Sequence, residues 1–146
     1  MMKLIAPICL LAFVVSPSSD RIRKYQAVEA YEIRPGIIVT PVYTASHDLC
    51  EISIEKRHYS NNIVDMDATM SKEQVLSMFD ELVPKGERGG PGWGLPPDTE
   101  YTECDGGMCA TRIRYENVSL MMHRLYKSNE YVSAIIYWNK PECNAN

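Results

Sequence analysis

The sequence predicts an α+β fold, in which one main helix at about residues 71–83 packs on a mainly antiparallel sheet of five to seven strands as a two-layer sandwich. Three observations support this prediction. One segment has helical periodicity with signals at both ends, and its neighbours alternate apolar and polar residues as strands do. An amphipathic helix must also bury its apolar stripe against a second layer. A length of 146 residues with 45% hydrophobic residues suits one folded domain.

The first 19 residues resemble a secretory signal peptide. Lys3 precedes an apolar run from Leu4 to Val15 that is short for a membrane span, and residues 16–19 are small enough for a cleavage site. The alternatives are a buried N-terminal strand or an uncleaved anchor. We therefore predict a signal peptide at 1–19 and a single domain at 20–146, secreted or periplasmic, with no membrane insertion after signal removal.

Three strands are predicted before the helix. The first covers 25–33, where a short helix over 20–30 is the competing interpretation. The second covers 37–43, and Pro41 indicates an edge or a bulge because proline cannot donate to a ladder. The third covers 49–56 and alternates most regularly, which points Cys50, Ile52 and Ile54 inward.

The helix has a start signal and a stop signal. Ser71 can accept a bond from a free N–H of the first turn, and Gln74 can reach back to complete a capping box. Pro84 ends the helix because it pushes the preceding residue out of helical geometry. The apolar stripe between these signals consists of Val75, Met78, Phe79 and Leu82.

A Gly/Pro-rich loop follows at 85–99, with five glycines and three prolines, and no regular element is expected there. Long loops of this kind are often functional. We predict Trp93 and Arg88 as binding residues, because an exposed tryptophan can contact a peptide, a sugar or a protein. The alternatives are that Trp93 closes the edge of the core and that Arg88 forms an ion pair with a glutamate.

The remaining chain predicts strands only. One enters the turn Asp-Gly-Gly-Met from 101–104, two lie within 110–122 with a turn at Glu116-Asn117, and the last covers 131–138. The last strand is apolar on both faces, which is typical of a central strand.

Four cysteines remain after signal removal, which indicates two disulfides in an oxidising compartment. Three pairings are possible. We favour Cys104 with Cys109, because these residues flank a tight turn, and therefore Cys50 with Cys143. Zinc is the alternative, but one C-x4-C with scattered partners does not match zinc-ligand spacing.

The sequence offers no catalytic residue, no metal ligand set and no cofactor motif. His47, His58 and His123 lack the i, i+4 spacing that aims two ligands from a helix, and the common nucleophile motifs are not found. Without Lys3, 14 basic and 19 acidic residues remain, a net charge of about −5. This charge argues against nucleic acid as a partner.

The segments Y-E-I-R-P-G-I (31–37), C-E-I-S-I-E-K-R-H-Y-S (50–60) and F-D-E-L-V-P (79–84) resemble small secreted bacterial proteins of unknown function. The resemblance spans much of the mature chain and implies no activity and no site residues. We expect a non-enzymatic domain that binds a protein or envelope component, either through the uncovered sheet face or through the Gly/Pro loop. A small metal-dependent or hydrolytic enzyme with convergent histidines, and a structural envelope protein without a specific ligand, are the alternatives.

Overall fold

The structure is a computed structural model that describes residues 25–27, 29–56, 69–92, 94–96 and 98–144. The predicted signal peptide lies outside the described residues. Two helices, α1 (Lys72–Leu82) and α2 (Pro141–Asn144), are described. Eight strands are described: β1 (Tyr25–Ala27), β2 (Tyr31–Arg34), β3 (Ile37–Thr44), β4 (Leu49–Lys56), β5 (Glu100–Asp105), β6 (Met108–Arg114), β7 (Val118–Leu125) and β8 (Tyr131–Trp138).

Seven of these strands lie side by side in the order β1-β3-β4-β8-β7-β6-β5, and β2 also pairs with β3. Every pairing is antiparallel. The prediction of a mainly antiparallel sheet is confirmed, and β8 is central, between β4 and β7. Hairpins connect β5 to β6 and β6 to β7, as the turn residues predicted, and a further hairpin connects β7 to β8.

The prediction of one strand at 25–33 was wrong, because this segment forms two short strands on the same edge. β1 pairs with 42–44 of β3, whereas β2 pairs with 37–39. Between these two stretches of β3, Thr40 and Pro41 pair with neither β1 nor β2. Since Pro41 has no N–H to donate, the ladder along this edge is interrupted there. This split makes the described strands eight, one more than predicted.

Helix α1 confirms the predicted end signals. Ser71 is the N-cap, its hydroxyl accepts from Gln74 N at 3.1 Å, and the Gln74 side chain accepts from Ser71 N at 2.9 Å. The helix buries Val75, Met78 and Phe79 in the same core as the sheet. Met70 also lies in this core, and its N–H and carbonyl bond to Tyr131 of β8. These bonds fix the start of α1 against the centre of the sheet.

The architecture is therefore mostly antiparallel sheet, with one helix of 11 residues in the described part of the chain. The core cluster combines Val75, Met78 and Phe79 of α1 with residues of the sheet. The sheet contributes to it Ile37 and Val39 (β3), Ile52 and Ile54 (β4), Ile113 (β6), Val118, Leu120 and Met122 (β7), and Tyr131, Ala134 and Ile136 (β8). No helix within the described residues has the length and apolar character to cross a membrane.

Both predicted disulfides are confirmed. Cys50 is bonded to Cys143, which joins β4 to α2 across a sequence separation of 93. Cys104 is bonded to Cys109 across the β5–β6 hairpin. The hairpin turn uses Gly106 and Gly107, both with positive φ, as a two-residue turn of this kind requires. Two disulfides are consistent with an oxidising compartment.

Candidate functional site on the open face of the sheet

The two faces of the sheet differ in what they carry. Side chains alternate between faces along each strand, and the register shows which residues share a face. One face holds the core. We call the other the open face, and none of its residues is fully buried. Its residues are Ile38, Thr40 and Val42 (β3), Glu51, Ser53 and Glu55 (β4), Ser133, Ile135 and Tyr137 (β8), Ser119, Met121 and His123 (β7), Arg112 and Arg114 (β6), and Tyr101 and Glu103 (β5).

The middle of the open face is apolar and its flanks are charged. One cross-strand row reads Tyr101, Arg112, Met121, Ile135, Ser53 and Thr40 from β5 to β3. The next row places Arg114 and Glu51 on either side of Ser119 and Tyr137. Arginines therefore lie on β6 and glutamates on β4, three strand spacings or roughly 14 Å apart.

A groove of about 390 Å³ lies on the arginine side of this face. Met121 and Tyr137 lie on the central strands β7 and β8, whereas Arg112 and Arg114 come from β6. Asn139 and Asn144 extend the lining beyond β8, and the Asn144 side-chain N–H donates to the Asn139 side-chain oxygen at 3.1 Å. The disulfide at Cys143 holds the neighbouring Asn144 in this position. The full lining comprises Arg112, Arg114, Ser119, Leu120, Met121, Tyr137, Trp138, Asn139 and Asn144.

Arg112 is the cation that this groove leaves available. It is exposed, and it forms no ion pair with any residue that the structure describes. The nearby carboxylate of Glu103 accepts instead from the Tyr101 hydroxyl at 2.9 Å. Arg112 therefore has no carboxylate partner among the described residues, although the chain has more acids than bases.

The electrostatics of the open face reflect partial burial and the charge of Arg112. Burial, and then the Arg112 charge, lower the pKa of His123, so this histidine is neutral over more of the pH range. Burial raises the pKa of Glu51. Burial and the Glu51 charge raise the pKa of Tyr137, which Arg112 opposes, so its hydroxyl stays a hydrogen-bond donor at neutral pH. The site thus offers donors rather than a nucleophile.

In the Gly/Pro loop, by contrast, the arginine is buried: only 3% of the surface of Arg88 is exposed. Its Nε donates to Val83 O at 3.0 Å, its Nη2 to Asp80 Oδ1 at 2.6 Å, and its Nη1 to the Tyr115 hydroxyl at 3.4 Å. Its guanidinium also lies 3.9 Å from the centre of the Phe79 ring. We call these residues the Arg88 cluster.

The contacts of the Arg88 cluster give Arg88 a structural role. A ligand would have to displace them to reach the arginine that the sequence predicted as a binding residue. The second predicted binding residue, Trp93, lies outside the described residues. The burial of Arg88 has no sequence signal, since an arginine in a glycine-rich loop normally indicates exposure.

Part of the loop is also more ordered in structure than the sequence predicted. Lys85–Glu87 form a 3-10 helix, which corrects the expectation that no regular element would form there. Backbone bonds then hold the loop against the β6–β7 turn: Asn117 N donates to Arg88 O at 2.9 Å and Glu116 N to Gly90 O at 2.8 Å. A side chain at Gly92 would meet the Arg114 side chain at 2.6 Å, so this close approach requires glycine.

The described histidines do not converge. His47 is in the β3–β4 turn, whereas His123 lies on β7 beside Ser133, which is opposite Glu55 at the far end of β4. About six residues of strand and two strand spacings separate them, roughly 20 Å. His58 lies outside the described residues. Among the residues that the structure describes, no three His, Cys, Asp or Glu side chains are grouped closely enough to hold a metal ion.

A second cleft, of about 490 Å³, lies between α1 and the turn after β2. It borders Lys56, where the described residues stop, and its Arg34 is already paired with Glu81 at 2.6 Å.

Sequence reasoning identified the uncovered sheet face as a candidate surface but not Arg112, Tyr137 or Glu51 within it. The alternation of each strand was visible, as was the apolar character of β8 on both faces. What the sequence does not contain is the order of the strands, which brings residues of β4, β8, β7 and β6 into adjacent rows.

No protein-family model matches the chain, and no curated protein or solved structure gives a significant match. The site is therefore interpreted from its geometry.

Proposed function

We propose that this protein is an exported, non-enzymatic domain that binds a protein or envelope component through the open face of its sheet. The observation that carries the proposal is the composition of that face. An apolar centre at Met121 and Ile135 is flanked by Arg112, which has no ion-pair partner in the described structure, and by partly buried Glu51. Interfaces combine an apolar centre with a polar rim in this way.

The sequence and the disulfides together support the proposed location. The apolar leader predicts export to the periplasm or the exterior, and an oxidising compartment permits Cys50–Cys143 and Cys104–Cys109 to form. In this proposal the helix and the sheet act as a two-layer sandwich: α1 covers one face, so the partner meets the other.

The size of the surface suits a partner of ordinary dimensions. Six strands, β3 to β5 in spatial order, present it, and each contributes about three outward residues. At about 4.8 Å between strands and 3.3 Å per residue, the face measures very roughly 500–700 Å² in plan. Stable protein interfaces bury about 800 Å² on each partner.

Site-specific photo-cross-linking tests this proposal in cells that produce the protein naturally. A photoreactive amino acid is placed at Thr40 or Ile135 on the open face, and at Ser77 on the exposed side of α1 as the matched control. We expect a discrete adduct from the open-face positions and none from Ser77. An adduct from Ser77 alone, or adducts from neither face, would contradict the proposal.

A further inference from the structure

We propose that the groove on the open face binds a carboxylate of a peptide segment in the partner, with Arg112 as the pairing cation. This inference rests on the proposed function, because it names the chemistry by which the open face recognises its partner. It goes further in assigning one anchoring interaction to one end of that face.

The charge of the groove indicates an anion. Arg112 and Arg114 both line it, and Arg112 has no ion pair among the described residues. The charged or titratable open-face groups on the strands around Arg112 are Arg114, Tyr101, Glu103, His123, Tyr137, Glu51 and Glu55. Of the three carboxylates in that set, Glu103 accepts from Tyr101, and Glu51 and Glu55 lie on β4 across the apolar centre. A carboxylate entering the groove would therefore meet a positive charge.

The donors of the groove indicate a planar acid held in one orientation. The guanidinium of arginine presents parallel N–H groups that match the two oxygens of a carboxylate. The hydroxyls of Ser119 and Tyr137 lie in the same lining and can donate to the same anion. The Tyr137 hydroxyl is protonated at neutral pH, because the ordinary tyrosine pKa is about 10 and burial raises the pKa of Tyr137 further.

The apolar residues in and beside the groove indicate a peptide rather than a free inorganic anion. Met121 lies between Arg112 and Ile135 in the central row, and half-exposed Tyr101 borders Arg112 on the other side. Side chains that flank an acidic residue in an extended peptide would contact these groups. A volume of about 390 Å³ is at the lower end of the range for small-ligand sites, which suits an acidic side chain and its neighbours.

The carboxylate has two sources in a polypeptide, an acidic side chain or the C-terminus. Four probes separate them by NMR titration of the chain 20–146: acetyl-Ala-Glu-Ala-amide, acetyl-Ala-Ala-Ala with a free C-terminus, acetyl-Ala-Gln-Ala-amide, and inorganic phosphate. We expect saturable shifts at Arg112, Ser119 and Tyr137 with one or both carboxylate peptides and none with the glutamine peptide. The peptide that binds more tightly identifies the source.

The substitution Arg112→Gln should weaken the binding of the carboxylate peptide at least about tenfold, because a charge-assisted pair is lost. Lys127→Gln is the matched control, since Lys127 is an exposed cation in the turn after β7. Unchanged backbone shifts away from the site show that both variants fold.

Three outcomes would overturn the inference: equal binding of the glutamine peptide, tighter binding of phosphate than of either carboxylate peptide, or no saturable shift with any probe. The cross-linking experiment stays independent. If the Ile135 adduct forms while neither carboxylate peptide binds the wild-type protein, the carboxylate inference fails and the proposed function stands. If the adduct is never formed, the proposed function fails.

Discussion

The Arg88 cluster and the open face use charged residues in opposite ways. Beneath the Gly/Pro loop, Arg88 is buried with hydrogen bonds to Val83, Asp80 and Tyr115 and with Phe79 against its guanidinium. On the open face, Arg112 is exposed and has no ion pair among the described residues. The first arrangement holds a loop in place, whereas the second leaves a charge for a partner. Local composition therefore does not reveal which arginine is available to a ligand.

The largest expected effect on stability comes from removing a disulfide. Replacing both Cys50 and Cys143 by serine should lower the free energy of unfolding by about 4.7 kcal/mol, because a loop closed over a separation of 93 is released. Replacing Cys104 and Cys109 should cost only about 2 kcal/mol, since their separation is 5. Denaturant unfolding of both double variants measures the difference. Equal losses would show that loop entropy does not set these contributions.

The next effect tests the Arg88 cluster directly. Arg88→Ala should lower the free energy of unfolding by about 2–3 kcal/mol, because Val83 O and the Tyr115 hydroxyl lose their donor inside the protein. The pair with Asp80 adds little to this figure, since the Asp80 side chain is 54% exposed and solvent screens it.

Arg88→Lys serves as the control for charge in the same unfolding measurement. Lysine keeps the charge but lacks the planar fork that reaches three partners, so most of the loss should persist. If Arg88→Lys were as stable as the wild type, the fork geometry would not matter and the structural role assigned to Arg88 would be incorrect.

A smaller expected effect is a pH dependence of stability that comes from His123 on the open face. The pKa of His123 is lowered in the folded state, chiefly by burial and also by Arg112, so the unfolded chain binds the proton more readily. The contribution of neutral His123 to the free energy of unfolding is fully present above the ordinary histidine pKa of about 6.5. It is lost as the pH falls from that value towards the pKa of His123 in the folded state.

His123→Gln should therefore flatten the stability profile just below pH 6.5, and Arg112→Gln should flatten it in part. The His123 ring can form a hydrogen bond with the Ser133 hydroxyl. Glutamine can also form a hydrogen bond, so it is a conservative replacement. Thermal unfolding from pH 5 to 8 measures the profile. A profile that stays unchanged in His123→Gln would mean that another group titrates there.

The smallest expected effect is on the stability of an Arg112 variant. Arg112→Ala should change the free energy of unfolding by less than about 0.5 kcal/mol, because Arg112 is exposed and no ion pair is lost. Measured beside Arg88→Ala, it gives a matched pair of arginine substitutions. A loss as large as that of Arg88→Ala would show that Arg112 supports the fold, and would remove the contrast between the two regions.

Much of the fold could be predicted because its signals are local. The capping box of Ser71 and Gln74 depends on residues three apart, and the two-glycine turn places Cys104 opposite Cys109. The strands 49–56 and 131–138 were predicted with the bounds that the structure shows, because alternation or a continuous apolar run needs no knowledge of neighbours. The first strand was mispredicted because its interruption lies at Pro41 on a different strand.

The sequence alone predicts the helix, most of the strands, the turn that places Cys104 opposite Cys109 and the excess of acidic residues. Which side chains share a surface depends on how the strands pair in the folded protein. The order β4-β8-β7-β6 places Glu51, Tyr137 and Arg112 on one face, and the folding of the loop onto the β6–β7 turn buries Arg88 while Arg112 stays exposed. Periodicity shows on which face of its own strand a side chain lies. The neighbours that the side chain meets on that face depend on pairings between residues far apart in the chain.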